Sequence, residues 1–423
     1  MTRPSSFVIT GRRALKATRL GLLAAAVSLA FSMSAVDCKR RDPTYHEDVY
    51  PILQARCAGC HAPDGVAPTP FMQTYADVRR SANLIKQSVQ TRQMPPWGAD
   101  DTGLCGKWQD ALWLDENEIR TIVQWADSGK KEGNRAHAPA PATAAAAPPR
   151  LATATSLDVD TYAPGIGDTA YRCFLADPKL ATDRFLTGFA VESSERRIVQ
   201  QVTLFALDSP TAEADAARLD EQNGGPGWPC YGGTRTAARF LSSWSWNASV
   251  LRMPPGTGLR LQAGRKMVIQ VHYNITAAGM SAATSIHVPL ELVERVPREA
   301  TILTVEPRDF VLPPERPFVE ATAQLKMDRA VDVLALSPRM HVLGRTLEVN
   351  RARGATRSCV ANFDHWKFYD QRQFNYLAPV PVDAGDVLNI TCSYTTQGSP
   401  TPVKMGETIH DEECLAWLYV VPR

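Results

Sequence analysis

Hydrophobic residues recur along this chain at two different periods, and the change from one to the other divides it. From about Pro43 to Lys131 the spacing is helical. Val49, Ile52 and Leu53 share one face of a helix predicted over 45–58, and a second helix is predicted over 75–93. A third opens at Asp115, with Glu118 placed to complete a capping box, and carries Ile119, Ile122, Val123 and Ala126 on one side. Segment 133–156 is dominated by Ala and Pro (138–141, 144–149) and holds no core-forming pattern, so it reads as a semi-extended spacer. Beyond it the period is two. Short runs rich in Val, Ile, Leu and aromatics at 198–207, 266–275, 331–336, 346–350, 387–394 and 415–421 are punctuated by Pro and Gly. They predict antiparallel β-sandwiches, and about 265 residues suffice for two, assigned to 157–295 and 296–423.

A separate apolar run sits at the N-terminus. Arg12, Arg13, Lys16 and Arg19 precede about a dozen apolar residues over 20–31, too few to span a bilayer but enough for the core of a signal peptide. Ser32, Ser34 and Ala35 offer a cleavage site, so 1–37 is expected to be removed on export and the protein to work in the periplasm or at the cell envelope. Residues 11–16 faintly resemble a twin-arginine signal, although a general export signal accounts for them. Cys38 is a candidate outer-membrane lipid anchor, set against the poor lipobox match of Asp37. No other segment is apolar enough for a multi-span membrane protein. Lys+Arg 46 against Asp+Glu 44 gives a net charge of +2, which provides no basic field for nucleic acid.

Cys57-Ala58-Gly59-Cys60-His61, at the end of the first helix, carries the strongest chemistry. Two thiols at this spacing add across both vinyl groups of a haem, and the adjacent imidazole then ligates the iron. A bare CxxC also suits zinc or a redox pair; the following His and the exported context favour one covalent haem c. Met94, in Gln93-Met94-Pro95-Pro96-Trp97, is the expected sixth ligand, carried on a strap whose prolines fix an extended backbone. His46 and Met72 are the weaker alternatives. His/Met ligation leaves no open position and favours electron transfer, with a periplasmic redox partner. Segment 43–132 resembles a class I cytochrome c, which implies an all-α cytochrome c domain ahead of the sandwiches.

The region from about residue 168 resembles the ascorbate-dependent type II copper monooxygenases, the peptidylglycine α-hydroxylating and dopamine β-monooxygenase family. The likeness rests on Asp168-Thr169-Ala170-Tyr171-Arg172-Cys173; on 199–205; on Gln270-Val271-His272-Tyr273-Asn274; on 337–345; and on Cys392-Ser393-Tyr394 with Asp411-Glu412-Glu413-Cys414. It implies two jelly-roll-like sandwiches, two copper sites, and disulfides Cys173–Cys230 and Cys392–Cys414. Carried over residue by residue, the first copper's ligand positions are Gln200, Gln201 and His272, and the second's are Arg339, His341 and Glu413.

Four of those six positions depart from the family. A glutamine amide is a weak copper donor, and a guanidinium is a fixed cation with no lone pair to give. Copper is therefore not expected to bind. Arg339 and Glu413 are instead expected to form an ion pair across the second position, with His341 nearby. His272 is expected to be a hydrogen-bonded core histidine. His287, His365, His410 and Met405 are candidate substitute ligands without supporting spacing, and His137 lies in the spacer. Cys105 and Cys359 remain over as candidates for an inter-domain bridge. The favoured reading is an exported haem c electron-transfer protein with a degenerate, copper-free, non-catalytic binding module. The alternatives are a copper monooxygenase fed by its own haem through substitute ligands, and a structural platform in an envelope complex.

Overall fold

The computed structural model of the protein describes residues 41–62, 67, 69–138, 151, 155–165, 171–246, 248, 250–273 and 283–423. The export segment 1–37, Cys38, most of the spacer 133–156, and Asp168, Thr169, Ala170 and Asn274 lie outside the described residues. None of the described helices is long and apolar enough to cross a membrane.

Among the described residues, four short α-helices occur in an otherwise β-rich fold: α1 Tyr50–Arg56, α2 Tyr75–Gln90, α3 Glu116–Asp127 and α4 Pro210–Gln222. A π-helical turn over Tyr45–Val49 leads into α1. In α2 the Thr74 side chain caps the Asp77 N–H, and Val78, Ala82, Ile85 and Val89 form the buried stripe. In α3 the Asp115/Glu118 capping box is complete, and Ile122, Trp125 and Ala126 face inward. These helices share a small core with Tyr45, Val49, Leu53 and Met72. The fourth helix lies in the region read only for strands. Ser209 caps it at the Ala212 N–H, Pro210 opens it, and it buries only Ala212, Ala216 and Leu219, too small a stripe to stand out among strands.

The strands form a continuous ten-stranded sheet that runs through both halves of the β region. Its main path is Thr155–Tyr162, Thr284–Val293, Arg184–Ala190, Thr257–Leu261, Arg298–Val305, Leu415–Pro422, Val331–Arg339 and Phe374–Val382. The halves join where Thr257–Leu261 pairs in parallel with Arg298–Val305. A five-stranded sheet built around Met267–Tyr273 and Val199–Ala206 covers the first half, and a four-stranded sheet around Val387–Tyr394 and Gly344–Arg353 covers the second. Each half closes over its own apolar core.

The expected all-α cytochrome c domain over 43–132 is not there. The chain is mostly β, and the segment between α2 and α3 leaves the helices altogether. Trp97, Ala99 and Trp108 are buried in the core of the second sandwich, with Trp108 stacked on Tyr376 at 4.2 Å. Asp100 N–H donates to the Asn362 carbonyl at 2.8 Å, and the Cys105–Cys359 disulfide fastens the same segment. Buried indoles each remove roughly 150–250 Å² from water, so this stretch finds its apolar environment on the β-sheet and not in a helical domain. Helical periodicity located α1 to α3 but carried no signal for where their connection packs.

Candidate functional site

Residues from α1, α2 and the strap after α2 enclose a cavity of about 250 Å³. Cys57, Cys60, His61, Met72, Met94 and Pro95 line it, together with Trp246 of the β region. Cys57 and Cys60 are free thiols, whereas the other six described cysteines form Cys105–Cys359, Cys173–Cys230 and Cys392–Cys414. Burial pushes the Cys57 thiol up to about 12, with Cys60 and Glu118 adding to it, and raises Cys60 as well. His61 is buried, its Nδ1 has no hydrogen-bond partner, and desolvation lowers its pKa, so the imidazole is neutral and has a lone pair to donate. An apolar pocket with two unpaired thiols, a neutral imidazole and a thioether suits a covalently attached haem. Met72 lines the same cavity as Met94; His46 lies apart, 3.4 Å from Glu132.

The positions aligned with the first copper lie on two paired strands. His272 is in register with Gln201, so both side chains emerge on one face of the five-stranded sheet. The Gln201 amide donates to Ser243 Oγ at 2.8 Å and to the Gln371 carbonyl at 2.6 Å. Gln200 is buried, and its carbonyl accepts from the Trp246 N–H at 3.0 Å. His272 lies flat on Tyr171, with ring centres 4.0 Å apart, and Phe368 closes its edge. Burial and then the charge of Arg339 lower its pKa to about 3. It is a core histidine as expected, but held by stacking, because Nδ1 has no hydrogen-bond partner.

The second position is charged. Arg339 Nε donates to Glu413 Oε2 at 2.5 Å, with both side chains under a tenth exposed, so the expected ion pair is present. Arg339 also donates to the Gly232 carbonyl. His341 Nδ1 donates to the Asp411 carbonyl at 2.8 Å, and Nε2 lies 3.2 Å from Glu413 Oε2, an ion-pair distance without hydrogen-bond alignment. Burial opposes ionisation of Glu413, but Arg339 and His341 overcome it and hold the carboxyl well below its usual range. The same partnership raises His341 despite its burial. Neighbouring Glu412 is fully buried and accepts from the His341 and Leu343 N–H groups at 2.8 and 2.7 Å, yet burial still lifts it to about 7. Tyr171 and Tyr231 bridge the two positions edge to face, Tyr231 meeting His341 with ring centres 4.8 Å apart.

This donor set does not fit copper. The guanidinium occupies the second position with no lone pair, and the first offers an amide already committed to hydrogen bonds. Among the described residues, no group of three or more His, Cys, Asp or Glu is arranged to hold a metal ion. The candidate substitute histidines lie elsewhere: His287 pairs with Asp158 at 2.7 Å, His365 with Asp364 at 2.8 Å, and His410 is exposed; His137, in the spacer, lies 3.4 Å from Glu47. Met405 lines a second cavity, of about 410 Å³, beside Arg339 and Glu413.

Sequence reasoning missed the segment 366–373, which touches His272 and Gln201 at the first position and His341 at the second. Trp366 Nε1 donates to the His341 carbonyl at 3.1 Å, and its ring packs where a Cβ on Gly344 would meet it at 2.9 Å. Phe368 and Tyr369 face His272. Lys367 Nζ donates to the Arg92 carbonyl at 3.0 Å. At Gly98 a Cβ would lie 2.7 Å from the His365 carbonyl, so only glycine allows the strap this close. The Trp366-Lys367-Phe368-Tyr369 run was the available signal, since such aromatic density seldom stays in solvent.

Residues 302–423 match the family described as copper type II ascorbate-dependent monooxygenase, C-terminal domain. The chain is 27% identical over 286 residues to peptidylglycine alpha-amidating monooxygenase of Rattus norvegicus, covering 62% of this chain and 27% of that protein. It is likewise 27% identical over 274 residues to the Mus musculus protein, covering 62% and 26%. The chain thus spans about a quarter of the length of these curated relatives. Among solved structures, the major capsid protein P2 from Bacteriophage PM2 aligns over 63% of this chain and 97% of its own, at 11% identity and a TM-score of 0.26, a likeness too loose to bear on fold or function. The β region is therefore a copper type II monooxygenase-like module.

Proposed function

We propose that the protein is an exported haem c electron-transfer protein whose monooxygenase-like module binds no copper and serves as a binding or docking scaffold for a redox partner in the periplasm or cell envelope. The observation that carries this reading is the apolar cavity where the only free thiols among the described residues, Cys57 and Cys60, meet His61 and Met94. Cys57 and Cys60 would hold the haem through thioethers, and His61 and Met94 would be the ligands to its iron. The group, when bound, would supply one-electron transfer. The chain's own part is to exclude water with Met72, Pro95 and Trp246 and to keep His61 neutral. Support for the copper-free module is the Arg339–Glu413 pair standing at a ligand position.

The test is metal and haem analysis of the intact chain, matured with a haem-attachment system and then equilibrated with cupric salt. A pyridine haemochrome band typical of two thioether links, with copper far below one per chain after desalting, is expected. Stoichiometric copper with oxygen-dependent hydroxylation would instead establish a monooxygenase, and absence of covalent haem would overturn the electron-transfer reading.

A further inference from the structure

Resting on the haem reading above, we infer that Arg372, a residue of the β module, is the anchor for a haem propionate and thereby a positioning residue of the redox centre. Any haem brings two carboxylates that need cationic or N–H partners when shielded from water. Arg56, which lines the cavity, is committed to the Ala111 carbonyl at 2.7 Å and to Glu118 at 3.5 Å. Arg92 is committed to Glu116, to the Leu114 carbonyl and to the face of Trp113. Arg372 is only 6% exposed, yet its Nε and one Nη have no hydrogen-bond partner. Asp370 lies 3.3 Å from that Nε, close enough to balance charge but not aligned to accept the hydrogen bond. A buried guanidinium with idle N–H groups is expensive to leave so, and a carboxylate from outside the chain would complete it.

Its position points to the same cavity. Arg372 lies against the face of Trp97, 4.6 Å from the ring centre, and Trp97 follows the cavity-wall residues Pro95 and Pro96. On its other side Asp370 accepts from Ser245 Oγ at 2.9 Å, and the next residue, Trp246, is the wall that the β region contributes. The redox centre is thus shared between the helices, which attach it, and the module, which fixes its acidic edge.

Charge next to a haem moves its potential, and the two members of the pair act in opposite directions. In the intact, haem-loaded chain, Arg372→Gln is expected to lower the midpoint potential by about 59 mV, a tenfold shift of a one-electron equilibrium. Asp370→Asn should raise it, and Arg372→Lys, which keeps the charge, should restore most of the loss. Covalent haem should persist in all three by its haemochrome spectrum. Potentials that stay within a twofold change of equilibrium in both Arg372→Gln and Asp370→Asn, with haem attached, would show that Arg372 is only a structural tie and overturn the assignment. A wild-type chain carrying no haem would overturn it together with the reading beneath it.

Discussion

The two positions aligned with copper ligands are filled by opposite means. At the first, neutral groups take over: the Gln201 amide bonds to Ser243 and to the Gln371 carbonyl, and His272 stacks on Tyr171. At the second, charge remains, but as an Arg339–Glu413 pair with His341 beside it. Each solution also joins the halves of the module, Gln201 reaching forward to the Gln371 carbonyl and Arg339 reaching back to the Gly232 carbonyl. The difference is one of sensitivity. A neutral hydrogen bond loses modest energy when one partner goes, whereas a buried ion pair leaves an uncompensated charge.

The largest effect should therefore come from breaking the charged side. Arg339→Met leaves Glu413 buried with only His341 beside it, and denaturant unfolding should show a loss of about 3–5 kcal/mol. Glu413→Met should lose a similar amount, while the double variant should lose far less than the sum, because two apolar side chains replace the pair. Single variants that each lose under about 1 kcal/mol would place this pair with ordinary surface salt bridges and remove the contrast.

A second break uses pH. His272 binds a proton less readily folded than unfolded, so its contribution is fully present above 6.5 and is lost as pH falls toward about 3. Glu412 does the reverse: its contribution is present below 4.5 and is lost as pH rises toward about 7. Between pH 4.5 and 6.5 the two slopes oppose each other, each being worth about 3 kcal/mol across that window. Relative to wild type, His272→Phe should therefore lose stability as pH rises through this window, and Glu412→Gln should gain it. Parallel curves for wild type and both variants would mean that neither group titrates as its surroundings dictate.

How much of this was legible follows from what each feature depends on. Local chemistry was readable: the Cys57–His61 motif, the Asp115 capping box, and the strand containing His272. The Arg339–Glu413 contact was readable as well, because family register places both residues on one site although they lie 74 positions apart. Segment 366–373 was not. Asp370, Gln371, Arg372 and Gln373 look like a solvated loop, and only partners up to 170 positions away show them to be buried. The Cys105–Cys359 link, 254 residues apart, was one pairing among open alternatives for the same reason. Helical periodicity, correct for α2 and α3, misled about the domain because a period reports a buried face and not what buries it.

The neutral side should give smaller effects. Gln201→Leu removes the donor that the buried Gln371 carbonyl and Ser243 hydroxyl share, which should cost about 1–3 kcal/mol in unfolding measurements. Ser243 still donates to Gln371 at 2.8 Å, which places the expectation at the lower end.

The smallest change belongs to His272 at neutral pH. There the imidazole is uncharged, Nδ1 is buried without a partner, and what holds the ring is its face on Tyr171 and the edge of Phe368. His272→Phe keeps a flat ring of similar size and discards a polar atom that the site never satisfied. Unfolding at pH 7.5 should therefore shift by less than about 1.5 kcal/mol, the range of volume-conserving exchanges in packed interiors. A loss of 3 kcal/mol or more, on the scale of Arg339→Met, would mean that His272 makes an interaction beyond stacking and that the first position is as demanding as the second. With a loss that small, the imidazole left from the ligand set serves at this position only as an aromatic surface.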